Sequence, residues 1–248
     1  ICIAPSDGNG EATCGIEPGG YVSNLAWSPD AGHLAFERRP SPFADDSRQV
    51  DILEADVATG QTRAFANTGA SETNPLYSPD GKFVAFLRSD DPPLQPGDFG
   101  VHLLDRATGQ TRALAPTDDR WPSLAGWSRD SSRIYFTEAR GTRNVIAALP
   151  VNGGPPQLVF APDGVVSAER INARGEAFGF SLESAGRAPE AFVFIEGSKP
   201  AAVSSANAAA AEFETARTEV VWWRSKGNLE VEGLLTYPIG YQEGRKYP

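Results

Sequence analysis

Asn74-Pro75-Leu76-Tyr77-Ser78-Pro79-Asp80-Gly81-Lys82-Phe83-Val84-Ala85-Phe86-Leu87-Arg88 reads as a β-hairpin. Ser78-Pro79-Asp80-Gly81 is the turn. Pro79 presets φ for the first corner, Asp80 suits the second, and Gly81 tolerates the positive φ that follows. Leu76-Tyr77 stands before the turn. Phe83 to Leu87 follow it as an apolar run of strand length, rich in β-forming residues.

The same unit occurs three times. Trp27-Ser28-Pro29-Asp30, Tyr77-Ser78-Pro79-Asp80 and Trp127-Ser128-Arg129-Asp130 start 50 residues apart, and Phe36, Phe86 and Phe136 keep that step. A second unit is interleaved: Asp56 to Arg63, built around Thr59-Gly60-Gln61-Thr62, recurs 49 residues later as Asp105 to Arg112. Each period therefore holds two hairpins. Four strands in roughly 40 to 50 residues is the mark of a propeller blade, so the chain is expected to be all-β.

Residues 1–17 read as the last hairpin of a preceding blade, and 18–66, 70–115 and 120–160 as three full blades. Ala173 to Phe180, Ala191 to Ile195 and Ala201 to Ser204 read as parts of a fourth, more degenerate one. The connections between second and third strands, Arg39–Gln49, Ser89–Phe99 and Ala139–Arg143, are longer than the others and share one face. Long loops on a rigid scaffold are where function usually sits. Ser204 to Glu212 is of low complexity and reads as a boundary or short helical linker. The expected division is blades over 1–205, a linker over 206–215 and a new unit from 216 to 248. In that unit two strands, Thr218–Arg224 and Leu229–Tyr237, flank a turn at Ser225 to Asn228.

The 248 residues carry a net charge of −10, with 40% hydrophobic and 10% aromatic residues. This is globular composition. The acidic balance argues against nucleic acid, whose phosphates select basic surfaces. No apolar run approaches the ~18 residues of a membrane span. Cys2 and Cys14 fall opposite each other in a hairpin centred near Gly8. Two readings stand: a cross-strand disulfide, implying a periplasmic or secreted protein, or two buried thiols, implying a cytoplasmic one.

The segment Trp223 to Pro248, with Trp223-Arg224-Ser225-Lys226-Gly227-Asn228-Leu229-Glu230-Val231-Glu232-Gly233 and the ending Gly244-Arg245-Lys246-Tyr247-Pro248, resembles the junction of prolyl-oligopeptidase-family serine peptidases. It is most similar to their acylaminoacyl-peptidase and dipeptidyl-aminopeptidase members. Lys226-Gly227 stands where Asp-Gly is common, which keeps the turn. The resemblance implies a seven- or eight-bladed propeller, with roughly three further blades of about 45 residues upstream. It also implies a catalytic α/β-hydrolase domain opening at 216–248, short peptides as substrate and no cofactor. The blade repeats alone are equally compatible with a non-catalytic, TolB-like propeller that binds a protein partner. An edge strand left by an incomplete array would support a homo-oligomer.

The family's nucleophile lies in a Gly-x-Ser-x-Gly elbow, and no such pattern occurs in these residues. His33 and His102 read as blade residues, so no catalytic residue is assigned. Two Cys and two His spread from Cys2 to His102 offer no zinc spacing, so no metal is expected. Substrate-binding candidates rest on loop position. Asp45, Asp46, Asp90 and Asp91 read as solvated turn acids or, as the resemblance implies for exopeptidases, as ligands for a free α-amino group. Arg38, Arg39 and Arg88 read as rim residues paired with local acids or as a fork for a substrate carboxylate or carbonyl. Of Trp222 and Trp223, alternation is expected to bury one against the hydrolase domain and leave the other at the junction.

Overall fold

A computed structural model describes residues 1–66, 68–94 and 97–247. Pro248, the end of the segment likened to the family junction, and Gln95 and Pro96 of the long loop 89–99 lie outside the described residues.

The chain folds as an arc of four-stranded antiparallel sheets, each in sequence order. A short hairpin, β1 (Cys2–Ile3) and β2 (Thr13–Cys14), precedes them. The first blade is β3 (Tyr21–Trp27), β4 (His33–Arg39), β5 (Asp51–Asp56) and β6 (Thr62–Ala66). The second is β7 (Glu72–Tyr77), β8 (Phe83–Ser89), β9 (Phe99–Asp105) and β10 (Thr111–Ala113). The third is β11 (Ser123–Trp127), β12 (Arg133–Arg140), β13 (Arg143–Pro150) and β14 (Gln157–Phe160). The fourth is β15 (Val165–Ile171), β16 (Ala177–Ser184), β17 (Arg187–Ile195) and β18 (Ala201–Ala202). A 3-10 turn at Ala208–Glu212 leads to a final hairpin of β19 (Thr218–Arg224) and β20 (Glu230–Thr236).

The repeated turn works as its residues require. The Gly81 N–H donates to the Ser78 carbonyl at 2.9 Å, with Gly81 at φ +71°. The Ser78 side chain does more than the turn statistics suggest. Its hydroxyl accepts the Phe83 N–H at 2.9 Å and donates to Asp80 Oδ1 at 2.7 Å. Ser28 and Ser128 make the same pair of bonds. The hydroxyls of Ser128 and Ser132 hold the Asp130 carboxyl down at about 2. Ala31 and Ser131 take the glycine's place at φ +56° and +59°. In the fourth blade Asn172 replaces the serine and receives the Glu176 N–H.

The core lies between the sheets. Strand alternation sends Phe36, Phe86 and Phe136 inward, each no more than 2% exposed. Between the first two blades Ala35 and Ile52 meet Tyr77, Val84, Phe86 and Leu104. Between the next two, Ala85, Leu87 and Leu103 meet Trp127, Ile134, Phe136 and Leu149. Tyr135 and Ala148 meet Phe178, Phe180 and Phe194 in the last seam. The first blade packs Leu34 and Phe36 under Ile1, Ile3 and Ile16 of the leading hairpin.

Polar latches cross each seam. The buried Glu37 carboxylate accepts Ser23 Oγ, Asn24 Nδ2 and, from the second blade, the Asn74 N–H at 2.8 Å. Buried Glu54 accepts Arg63, and from the second blade Arg106 and the Tyr77 hydroxyl. Trp127 Nε1 donates to the Leu76 carbonyl at 3.1 Å. Thr137 Oγ1 donates to buried Glu169 at 2.6 Å. A buried carboxylate needs such partners, because its desolvation otherwise costs several kcal/mol.

The third connection departs from expectation. Arg140 pairs Arg143 directly, so Gly141 and Thr142 close a tight turn rather than a longer loop. Trp222 is 59% and Trp223 49% exposed within the described residues. Trp223 lies along the backbone of Gly233.

Candidate functional site

Alternating strand direction gathers two sets of connections on one side of the arc. They are the links from second to third strands and those leading into each first strand. First strands form the inner edge of the arc: β3 meets β7, and β11 meets β15. The exposed fourth strands form the outer edge. All seven arginine and aspartate candidates fall on the loop-bearing side.

The structure separates these candidates sharply. Arg38, near the end of β4, donates from Nη2 to Asp51 Oδ2 at 2.7 Å across the β4–β5 pair. Arg88 Nε lies 3.8 Å from Glu72 Oε1. Glu72 is fully buried at the start of β7 and accepts the Thr68 hydroxyl at 2.5 Å. Its Oε2 has no partner, and burial pushes its pKa above the usual carboxylate range. Both arginines are therefore occupied.

Arg39 is not. It ends β4 opposite Tyr21, and its guanidinium carbon stands 4.5 Å from the centroid of the Tyr21 ring. Among the described residues its buried Nε has no hydrogen-bond partner, and no acidic side chain lies within salt-bridge distance. The nearby loop holds Asp45 and Asp46 in a 3-10 turn, Ala44–Arg48. Asp46 is engaged by the Ser41 hydroxyl, and Asp45 is exposed. Asp90 and Asp91 are exposed in the second loop. The Asp91 carboxylate lies against Gly69, and the Asp90 carbonyl accepts the Ser89 hydroxyl. The four aspartates do not converge on one point with an orphaned donor.

Several other charged rim residues pair with one another. Arg120 pairs with Asp98 at 2.9 Å, and Arg140 bridges Glu138 and Asp118 at 2.8 and 3.0 Å. Tyr21 and Trp121 occupy corresponding places 100 residues apart, at the head of β3 and just before β11, and both are exposed. Trp121 packs against Phe99 with the rings tilted, 5.2 Å between centroids. The 50-residue step could have flagged this aromatic pair, since the position between them is Ser71.

The histidines sit within the blades. His33 pairs Asp56 in the β4–β5 register. His102 packs against Phe86, and burial, with the Arg88 charge, lowers its pKa. No group of three or more metal-binding side chains occurs among the described residues. Among the described residues no helix is long and apolar enough to cross a membrane. Cys2 and Cys14 are direct register partners, joined by a disulfide with Cα atoms 4.1 Å apart.

The final hairpin rests on the same loop-bearing side. Thr142 Oγ1 donates to Glu232 Oε1 at 2.7 Å. Gly141, at φ +62°, lets this happen, because a Cβ there would fall 1.7 Å from the Glu232 carboxylate. Between hairpin and blades runs a cleft of about 400 Å³, lined by Arg143, Asp163, Glu183, Glu219, Val220 and Leu234 among others.

No family model matches the chain. Dipeptidyl-peptidase 5 of Porphyromonas gingivalis is 27% identical over 124 residues, which is 49% of this chain and 18% of that protein. The acylaminoacyl peptidase of Pyrococcus horikoshii superposes with a TM-score of 0.64 at 14% identity, covering 88% of this chain and 33% of that one. TolB from Acinetobacter baumannii superposes with a TM-score of 0.63 at 19% identity, covering 95% of this chain and 56% of that one. The match to the curated relative thus spans under a fifth of its length. At these identities the two superpositions show the β-propeller fold. The relative and the peptidase neighbour bear out the resemblance to the propeller part of prolyl-oligopeptidase-family peptidases.

Proposed function

We propose that this chain is the propeller portion of a serine peptidase that hydrolyses short peptides. In this reading residues 216–248 open an α/β-hydrolase domain that carries the chemistry, and the propeller gates access to it. The observation that carries the proposal is the placement of the final hairpin. It docks through Glu232 on the side that bears the long loops, so a domain continuing from it would face Arg39, Tyr21 and the acidic loops across a gap. The dipeptidyl-peptidase relative supports an exopeptidase acting near peptide ends. The Cys2–Cys14 bridge supports a periplasmic or extracellular site of action.

A second reading, a non-catalytic propeller that binds a protein partner, draws on the TolB superposition. It leaves the hairpin at 218–236 without a role, which is why the peptidase reading is preferred. The discriminating experiment treats protein isolated from its natural source with a fluorophosphonate probe and measures the intact mass of the labelled species. Label on a polypeptide that contains these residues, or on one that co-purifies with them, is the expected result. A protein that takes no label and hydrolyses no dipeptidyl or acylaminoacyl substrate would shift the assignment to a binding propeller.

A further inference from the structure

We infer that Arg39, stacked on Tyr21, recognises a carboxylate of the bound peptide, either its C-terminus or an acidic side chain. This deepens the reading of the loop-bearing side as the peptide-taking side, and rests on it.

The argument starts from charge. The chain carries 32 acidic residues against 22 Lys and Arg. In such a surplus of carboxylates, arginines find partners easily, and four on this side do so. Arg38 has Asp51, Arg88 has Glu72, Arg120 has Asp98, and Arg140 has Glu138 and Asp118. Arg39 sits among these acids and pairs with none of them.

Its position is fixed rather than accidental. Tyr21 and Arg39 are register partners at the ends of β3 and β4, so backbone pairing sets the stacking distance. A guanidinium lying on an aromatic ring keeps its in-plane N–H groups free for a planar, bidentate partner. The buried Nε of Arg39 lacks a partner, as do those of Arg38 and Arg106, so what sets Arg39 apart from those two is that its guanidinium has no ion pair among the described residues. β3 is the innermost strand of its blade, so the pair stands at the inner rim, where a peptide crossing the face would pass. The corresponding positions of the next two blades are Ser71 with Ser89 and Trp121 with Ala139, at the same 18-residue spacing. Arg39 is thus the cation at this rim position in the first three blades.

The test uses the intact protein and fluorescein-labelled peptides in three forms: free acid, C-terminal amide, and free acid with Asp and Glu replaced by Asn and Gln. Binding is read by anisotropy at low and high salt. The wild type is expected to prefer one carboxylate form by about tenfold, as a charge-assisted bond at a half-exposed site allows. The preference should shrink with salt, vanish in Arg39→Gln and persist in part in Arg39→Lys. Loss on amidation identifies the C-terminus as the source, and loss on side-chain replacement identifies an acidic residue. Equal binding of all three forms by wild type, or a preference that survives Arg39→Gln, would overturn the inference. Fluorophosphonate labelling of the same samples separates the two proposals. Label without carboxylate preference removes the Arg39 site and leaves the peptidase; Arg39-dependent preference without label does the reverse.

Discussion

Ala31 and Ser131 hold a backbone conformation that glycine adopts freely and other residues adopt at a cost of about 1 kcal/mol. They are not equivalent. Ser131 is buried, and its hydroxyl accepts the Asp80 N–H of the neighbouring blade at 3.1 Å. Ala31 is exposed and makes no such bond. Ala31→Gly is therefore expected to stabilise the protein by about 0.5 to 1 kcal/mol, and Ser131→Gly to give no such gain, both measured by urea denaturation. Phe136 is fully buried between two sheets, and Phe136→Ala should cost about 3 to 5 kcal/mol in the same assay.

At the scale of the element, the seams between blades offer a pH signature. Arg133 donates to both oxygens of Glu196 across the third seam, at 3.0 and 2.8 Å. These bonds hold the Glu196 carboxyl below its ordinary range. A carboxyl depressed in the folded state adds stability above its unfolded pKa. That contribution fades as pH falls through the folded value. The pair is partly exposed, so it is worth only about 0.5 to 1 kcal/mol. Glu196→Gln should lower the melting temperature slightly at pH 7, and wild type and variant should converge below pH 4. A constant gap across that range would contradict the assignment.

The elements also show what the sequence makes legible. Turn chemistry and the 50-residue step located the strands of the first three blades, because Ser-x-Asp punctuates the first hairpin of each and a buried Phe follows it. The fourth blade was fainter, because Asn172 does the work of the serine with a different side chain. Loop position placed the charged candidates on one side of the arc, the side that bears the longer connections. It left Arg38, Arg39 and Arg88 indistinguishable, because pairing depends on Asp51 and Glu72, which lie on other strands. Nothing local marks Glu72 as buried, or Tyr21 as the platform beneath Arg39.

Across the whole molecule, the two ends of the arc differ. On the leading face of the first blade, Cys2–Cys14 closes the hairpin whose Ile1, Ile3 and Ile16 cover Leu34 and Phe36. Reduction, or Cys14→Ser, should cost about 3 kcal/mol and make the first blade's core accessible to hydrogen exchange before the others. The trailing end presents the outer face of the fourth blade. There Gly179 alternates with buried Phe178 and Phe180, and Val193 and Ile195 are exposed. Ile195→Lys is expected to suppress concentration-dependent light scattering of the isolated chain without lowering its stability.

The latches across the seams have a consequence for how so repetitive a chain finds its own order. Nearly identical hairpins recurring along one polypeptide invite a blade to dock one place out of turn. The apolar surfaces would tolerate the error, since each offers a similar mix of alanine and phenylalanine. The polar groups would not. Glu37 is answered by the Asn74 amide, Trp127 by the Leu76 carbonyl and Thr137 by Glu169. A misplaced neighbour would strand a carboxylate or an indole N–H in the dark. Each junction thus carries its own address, and the blades can be read in only one sequence.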